Sequence, residues 1–286
     1  MASLIFKFLA SLPLGLLQTL GVLAGWLTYA LSPTYRRRLR ANLEQALGHD
    51  EARRIWRRSV GEIGKQALEL AWVLLRPQNE IAAKVVQVSG WEHVEAAEAN
   101  GGGILFITPH LGCFEITAQY FSLHKPITVL YRPPKKAVLQ PVINAGRRRG
   151  NMHLAPADVS GVRRLIKALR AGEAVGMLPD QVPGGGEGAW LPFFGRPAYT
   201  MTLAARLSEV AGVNTIFAWA ERLPGGKGFH LRFRPPLTPL DGDTHARAAA
   251  INRELEAQIR ENPAQYLWGY NRYKRPSGAP PAPATR

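Results

Sequence analysis

The chain has 286 residues, 36 Lys plus Arg against 21 Asp plus Glu, and a single cysteine. That length is enough for one large α/β domain or two small ones with a sizeable core, and a lone Cys113 excludes a disulfide scaffold. Hydrophobic residues at 46% and aromatics at 9% exclude global disorder, while a net charge of +15 points to an anionic partner: nucleic acid, phospholipid, acidic glycolipid or an acidic carrier protein.

The first element is apolar. Leu4 to Leu31 is almost wholly apolar, interrupted by Lys7 and Gln18 and bent at Pro13 if helical. As a helix it would be roughly 40 Å long, enough to cross a hydrocarbon core of about 30 Å. The run exceeds the apolar stretch of a cleaved signal peptide, about 15 residues, and has no clear small-x-small cleavage site. Two isolated polar residues do not make the charged stripe of an interfacial helix. Residues 1–34 are therefore expected to be a retained membrane anchor. Arg36, Arg37, Arg38 and Arg40 follow at once, which favours a cytoplasmic location for the rest of the chain and contact with anionic headgroups. Gly21 and Gly25 form a small-xxx-small pair usable for helix contact, although chance gives the same spacing.

From Tyr35 to Arg76 apolar positions recur at helical spacing, which predicts two helices broken near Gly48 and His49. Val85 to Val88 reads as a strand, Trp91 to Glu98 as a short helix ended by Asn100 and three glycines. Ile104 to Thr108 is a continuous apolar run closed by Pro109, the pattern of a buried parallel strand. A helix over Gly112 to Leu123, a strand over Ile127 to Tyr131 and a helix over Leu139 to Arg149 follow. Ser160 is placed to cap an amphipathic helix carrying Val162, Leu165, Ile166 and Leu169, and Ala174 to Leu178 is the next buried strand. Asn214 to Glu221 and Phe229 to Arg234 flank Pro224-Gly225-Gly226-Lys227 as an antiparallel hairpin. Asp243 to Glu261 is a long helix stopped by Asn262-Pro263. The expected fold is α/β, a mostly parallel mixed sheet flanked by helices over residues 35–275, behind the N-terminal helix. The Pro/Ala-rich end, 276–286, is expected to be disordered.

The chemistry concentrates after the strand at Ile104. Open α/β sheets place reactive groups beyond the carboxyl ends of their strands; His110 falls there, and Glu115 follows in the first turn of the next helix. With His110 in the loop and Gly112 to help the turn, imidazole and carboxylate can be brought together. A neutral imidazole can then take a proton from an alcohol while the carboxylate fixes its tautomer. The plain alternative is a loop histidine beside an ordinary first-turn acid. The spacing is not a zinc motif, since no second histidine lies four positions away. Cys113 reads as a small packed residue rather than a thiol nucleophile. The other six histidines lie in polar or turn contexts and receive no role.

His110-x4-Glu115 is also the signature of a family. The sequence resembles the lysophospholipid acyltransferase superfamily, and within it the lipid A biosynthesis acyltransferases that add secondary lauroyl or myristoyl chains. Further blocks in family order are Tyr131-Arg132-Pro133, Gly161 to Gly172, Gly176-Met-Leu-Pro-Asp180-Gln181, Phe193-Phe194-Gly195-Arg196-Pro197-Ala198 and Tyr266 to Lys274. His-x4-Glu alone is weak; five ordered blocks covering nearly the whole chain are strong. Where glycerol-phosphate acyltransferases carry Pro-Glu-Gly, this chain has Pro179-Asp180-Gln181, which favours the lipid A branch.

The resemblance implies transfer of a fatty acyl group from acyl carrier protein to a hydroxyl of an anionic lipid A precursor, at the cytoplasmic face of a bacterial inner membrane. It implies no metal or organic cofactor. His110 and Glu115 are the expected catalytic pair, with no covalent acyl-enzyme. Arg132, or backbone amides near Gly112, would meet the oxyanion or a phosphate. Asp180 would orient Arg132 or the acceptor hydroxyl, its plain alternative being a turn former. Arg163, Arg164 and Lys167 would meet acceptor phosphates or the acidic carrier, with Arg170 on a solvated face. Pro183 to Gly188 reads as a mobile loop over the site. Trp190, Phe193 and Phe194 would line the acyl channel or touch the membrane, core packing being as good a reading for at least one of them.

Rival readings are an acyltransferase using acyl-CoA on another glycolipid or a lysophospholipid, and a non-catalytic membrane lipid-binding protein of the same fold. Nucleic-acid binding is disfavoured, because the basic residues are dispersed and no familiar binding motif appears.

Overall fold

The computed structural model describes residues 2–132, 140–184 and 186–283. Pro133, Leu139 and Gly185, within segments named above, lie outside the described residues.

Pro13 has no amide hydrogen to donate, and the apolar segment accordingly splits into α1 (Ala2–Ser11) and α2 (Leu14–Leu31). Helix α3 (Pro33–Leu47) starts with a proline in its first turn behind Ser32, whose hydroxyl accepts from Tyr35 N. After Gly48, α4 (His49–Leu75) runs for 27 residues, about 40 Å. Helix α2 lies along α4. A Cβ on Gly64 would sit 2.0 Å from Gly21 O, and one on Gly25 would sit 2.3 Å from Val60 O, so only glycine lets these backbones approach. The small-xxx-small pair is thus used inside the chain. Leu14, Leu17, Gln18, Gly21, Gly25 and Tyr29 form the buried face of α2. Leu16, Leu23, Trp26, Leu27 and Leu31 point outward. By length and apolar character α2 is able to cross a membrane.

The remaining elements are α5 (Gln78–Ala82), β1 (Val85–Ser89), α6 (Trp91–Ala99), β2 (Ile104–Ile107), α7 (Phe114–Phe121), β3 (Ile127–Tyr131), α8 (Gln140–Arg147), β4 (Met152–Pro156), α9 (Val159–Arg170), β5 (Ala174–Met177), β6 (Gly188–Phe193), β7 (Arg196–Met201), α10 (Leu203–Ser208), β8 (Asn214–Arg222), β9 (Phe229–Arg234) and α11 (Thr244–Glu261). Seven strands form one sheet in the order β1-β9-β8-β2-β5-β3-β4, parallel throughout except for the β8–β9 hairpin. This is the expected mostly parallel mixed sheet. Strands β2 and β5 are buried along their whole length, or nearly so, because helices cover both faces. Leu105, Ile107, Val175, Met177 and Phe217 pack towards α9, α10 and α11; Ile104, Phe106, Ile127, Ala174 and Ile216 pack towards α4, α6 and α7.

Four local expectations differ from the structure. Asp158, not Ser160, caps α9: its carboxylate accepts from Gly161 N and from the Ser160 hydroxyl. Strand β4 was not anticipated, since Met152-His-Leu-Ala-Pro is short and ends in proline. The block containing Phe193 and Phe194 belongs to a two-stranded antiparallel hairpin, β6–β7, which turns at Phe194 and Gly195, both at positive φ. The Pro/Ala-rich end is packed onto the molecule as far as it is described: Ala279 is buried with Val182 and Tyr199, and Pro280 O accepts from Trp190 Nε1 at 2.9 Å.

Candidate active site

The register of the parallel sheet sets up the site. Ile107 of β2 pairs with Met177 of β5; His110 lies three residues beyond the first and Asp180 three beyond the second. Equal offsets from paired strand ends bring the two side by side at the carboxyl edge of the sheet. His110 Nδ1 lies 2.7 Å from Asp180 Oδ1, and the His110 backbone amide donates to Asp180 Oδ2 at 2.9 Å. Both oxygens of one carboxylate therefore grip one residue.

Asp180 is only 1% exposed. Burial pushes its carboxyl up, but the charge and hydrogen bonds of His110 more than offset this, so the group sits below its ordinary range. An ionised Asp180 holds a ring proton on Nδ1 and leaves Nε2 on the cavity side. Gln181 Nε2 donates to that nitrogen at 3.0 Å.

The expected contact between His110 and Glu115 is corrected by this arrangement. Glu115 sits in the first turn of α7 and accepts from Arg147 of α8, with Nε at 3.1 Å from Oε2 and Nη2 on Oε1. The reason is directional: His110 turns its Nδ1 edge across to the neighbouring strand, while α7 aims Glu115 at α8. Arg147 is held charged above its ordinary range, since Glu115 outweighs the effect of burial. Asp180, expected to orient Arg132 or a hydroxyl, orients the imidazole instead.

His110, Phe114, Glu115, Arg132 and Arg147 line one cavity of about 230 Å³. Its inner walls are apolar, formed by Phe106, Ala118, Ile127, Val129, Met152 and Gly176, so it passes from polar rim to greasy interior under the sheet. A smaller apolar cavity of about 210 Å³ touches the same His110, Phe114 and Glu115 from the α4 side, against Ile63, Ala67 and Leu70. A groove of about 580 Å³ beside α9 and α10 shares Leu130, Arg132, Ala157 and Met201 with the first cavity. Arg132 is exposed where cavity and groove meet.

The loop carrying His110 is fixed from below. Gly112 has φ +61, and a Cβ there would meet Ala220 O at 1.9 Å, so the turn needs glycine. Gly112 N donates to Gln265 O at 3.1 Å and Cys113 N to Ala220 O at 2.9 Å. The amides of Gly112 and Cys113 are thereby occupied and do not face an oxyanion. Burial, then the nearby Glu69 charge, push the Cys113 thiol well up, so it stays protonated.

Three further groups are placed as follows. Phe193 and Phe194 are buried in the core, 1% and 6% exposed, and Trp190 packs edge-on against Tyr199; none of the three lines the cavity at His110. Phe193 ends β6 and Phe194 sits in the turn at positive φ, which lets both rings reach the core. Arg163 and Arg164 are exposed on α9 and line none of these cavities, whereas Val162 and Ile166 of the same helix line the groove. In the segment read as a mobile loop, Gly186 O and Gly188 N are both bound by the Tyr199 hydroxyl. Arg147 was missed because one arginine in an amphipathic helix carries no local signal; its importance comes from the facing Glu115.

Fold and site together define an α/β enzyme with an imidazole–carboxylate pair facing an apolar cavity. The chain belongs to the bacterial lipid A biosynthesis acyltransferase family, whose model matches residues 2–275, and it is an acyltransferase. It is 30% identical over 238 residues to the lipid A biosynthesis lauroyltransferase of Escherichia coli K12, covering 82% of this chain and 76% of that protein. A lipid A biosynthesis acyltransferase of Haemophilus influenzae is 27% identical over 288 residues, 97% of this chain and 91% of that protein. The lipid A biosynthesis myristoyltransferase of E. coli is 27% identical over 205 residues, 70% and 62% of the two chains.

Proposed function

We propose that the protein transfers a fatty acyl group from the thioester of an acyl carrier protein to a hydroxyl of a lipid A precursor, with His110 as general base. The observation that carries this reading is the Asp180–His110 pair opening onto a cavity that is polar at its rim and apolar within. Asp180 holds the proton on Nδ1; the acceptor hydroxyl takes the place of Gln181 at Nε2, gives up its proton there and attacks the thioester carbonyl. Collapse of the tetrahedral intermediate returns that proton to the departing thiolate, so no acyl-enzyme forms. The acyl chain occupies the apolar interior between α7 and the sheet. Arg147, held by Glu115, and Arg132 are the cations at the rim, suited to the developing oxyanion and to the acceptor's phosphates.

The outer face of α1 and α2, with Leu4, Ile5, Phe8, Leu23 and Leu27 exposed, supports a seat in the inner membrane, with Arg36, Arg37 and Arg38 beside it at the anionic headgroups. The catalytic domain then works on the cytoplasmic side.

The test is turnover of purified protein with matched acyl carrier protein and CoA thioesters on a lipid A precursor, with product mass as readout. A product heavier by one acyl group, formed from the carrier-protein donor, is expected. His110→Ala should lose about 10²- to 10⁴-fold in kcat while remaining folded. Preference for the CoA donor would replace the carrier protein, and full turnover by His110→Ala would end the general-base reading.

A further inference from the structure

Beneath the His110 loop lies a second set of charges, whose Arg222, Glu62 and Glu69 line none of the three cavities around the site. Arg222, the last residue of β8, is 3% exposed; Glu69 is 0% and Glu62 6% exposed, both on α4. Arg222 donates from Nε to Glu69 Oε1 at 2.6 Å, from Nη2 to Glu69 Oε2 at 2.6 Å and from Nη1 to Glu62 Oε2 at 2.7 Å. The same Nη2 reaches Gly112 O at 3.2 Å. Lys65 completes the charge balance on Glu62 at 2.7 Å, and Gln18 of α2 donates to Glu69 Oε1 at 2.8 Å. Gln66, one turn from Glu62 on α4, donates to Gly112 O at 3.2 Å and to His110 O at 3.4 Å.

Stability alone is a poor reason for such a cluster. A buried ion pair often breaks even, or does worse, against apolar residues of the same shape, because desolvation of the ions cancels their attraction. What an apolar substitute cannot supply is a fixed donor to one chosen carbonyl. Here that carbonyl belongs to Gly112, two residues from the base, in a turn whose amides are already tied to Gln265 and Ala220. His110 O is held by Leu267 N at 3.2 Å as well as by Gln66, whereas Gly112 O has Arg222 and Gln66 as its donors among the described residues, so the guanidinium is its one charged donor.

We propose that Arg222, locked by Glu62 and Glu69, is a positioning residue for the acyl transfer: it holds the Gly112 carbonyl and so fixes the imidazole of His110 against Asp180. Through Gln18, the seat of α2 is part of the same support. The inference rests on the reading of His110 as the base.

Removing the charge of Arg222 alone would leave the buried Glu69 carboxylate without a cation and destabilise the fold, so the informative variant removes the whole cluster. Glu62→Gln, Glu69→Gln and Arg222→Met together keep volume and hydrogen-bond partners among the glutamines, but leave Gly112 O without the guanidinium. The expected result is a folded protein with an unchanged KM for the donor and kcat lower by about 10- to 100-fold, the loss typical of a small misplacement of a reacting group. Arg222→Lys, which keeps charge but not the fork that reaches both Glu69 and Gly112 O, should recover part of the loss at most. The ring ¹⁵N resonances of His110 should lose the single Nδ1–H tautomer signature in the triple variant.

Wild-type kcat and an unchanged His110 tautomer in the folded triple variant would overturn the proposal and leave the cluster purely structural. Parallel turnover of His110→Ala separates the two readings: its loss with an unaffected triple variant refutes the positioning role alone, whereas its retention refutes the base.

Discussion

His110 lies between two acidic groups that the fold treats in opposite ways. On the cavity side Asp180 faces an imidazole, whose second ring nitrogen is open to a substrate's proton. Under the loop, Glu62 and Glu69 face Arg222, a partner that keeps its charge at any working pH. The first arrangement suits chemistry, since the pair's charge can change during a turnover. The second suits a scaffold, since its charge cannot. Both are buried, so burial does not distinguish them; the chemistry of the partner does.

The largest effect that would break this contrast is at Asp180. Asp180→Asn keeps shape but removes the charge that holds the proton on Nδ1, and kcat should fall by about 10²- to 10⁴-fold, comparable to loss of the base itself. Glu115→Gln should cost less, on the order of 10-fold, because it loosens Arg147 rather than the imidazole. Steady-state kinetics of the two variants side by side decides the matter. A deep loss in Glu115→Gln with near-normal Asp180→Asn would return the imidazole to Glu115.

The pH dependence sharpens the same point. The Asp180 carboxyl is lowered in the folded protein, so its ionised form contributes stability above the unfolded value of about 3.9. That contribution is lost as pH falls through the lower folded value. The difference in thermal unfolding between wild type and Asp180→Asn should therefore be full at pH 7 and shrink below about pH 4. A difference that grows on acidification would show that Asp180 is not held ionised.

These acids also mark how far the sequence can be read. The runs Ile104 to Ile107 and Ala174 to Met177 announce buried strands, and the rule about carboxyl ends puts both His110 and Asp180 at the functional edge. The adjacency of β2 and β5 is not local information, because α7, β3, α8, β4 and α9 intervene along the chain. The residue nearest in sequence, Glu115, therefore stands in for the one nearest in space. Phe193 and Phe194 were legible as a motif, but core packing was only one of two readings, since exposure of an aromatic depends on what folds over it. Glu62 and Glu69, seven apart, share one face of α4, yet nothing local says that a hairpin residue 153 positions beyond Glu69 will meet them.

A smaller effect concerns the cavity rather than the charges. Gly176 lines its inner wall, and a Cβ there would meet Val129 Cγ1 at 3.3 Å and Ile127 Cδ1 at 3.4 Å. Gly176→Val adds further carbon to a closed apolar space and should shift the transferred chain to a shorter one with modest loss of turnover. The mass of the glycolipid product from a mixed pool of acyl donors reads this directly. An unchanged product distribution would move the acyl chain to another of the three spaces around the site.

The smallest effect tests whether α2 is part of the folded enzyme or merely its tether. A free membrane span would tolerate a small residue on its partner helix, but here a Cβ on Gly64 falls 2.0 Å from Gly21 O and 2.7 Å from Gly25 N, both backbone atoms that cannot swing aside. Gly64→Ala must push α2 away from α4, and overpacking of this kind costs about 1–3 kcal/mol. Because Gln18 reaches Glu69 only while the helices touch, the same separation should also trim kcat by a few-fold, even with membrane binding intact. Thermal unfolding and vesicle flotation of Gly64→Ala, measured together, distinguish the cases: lowered stability with retained flotation fits a helix that belongs to both the membrane and the catalytic domain. Unaltered stability and turnover would mean that α2 only tethers, and that the support of the His110 loop begins at α4.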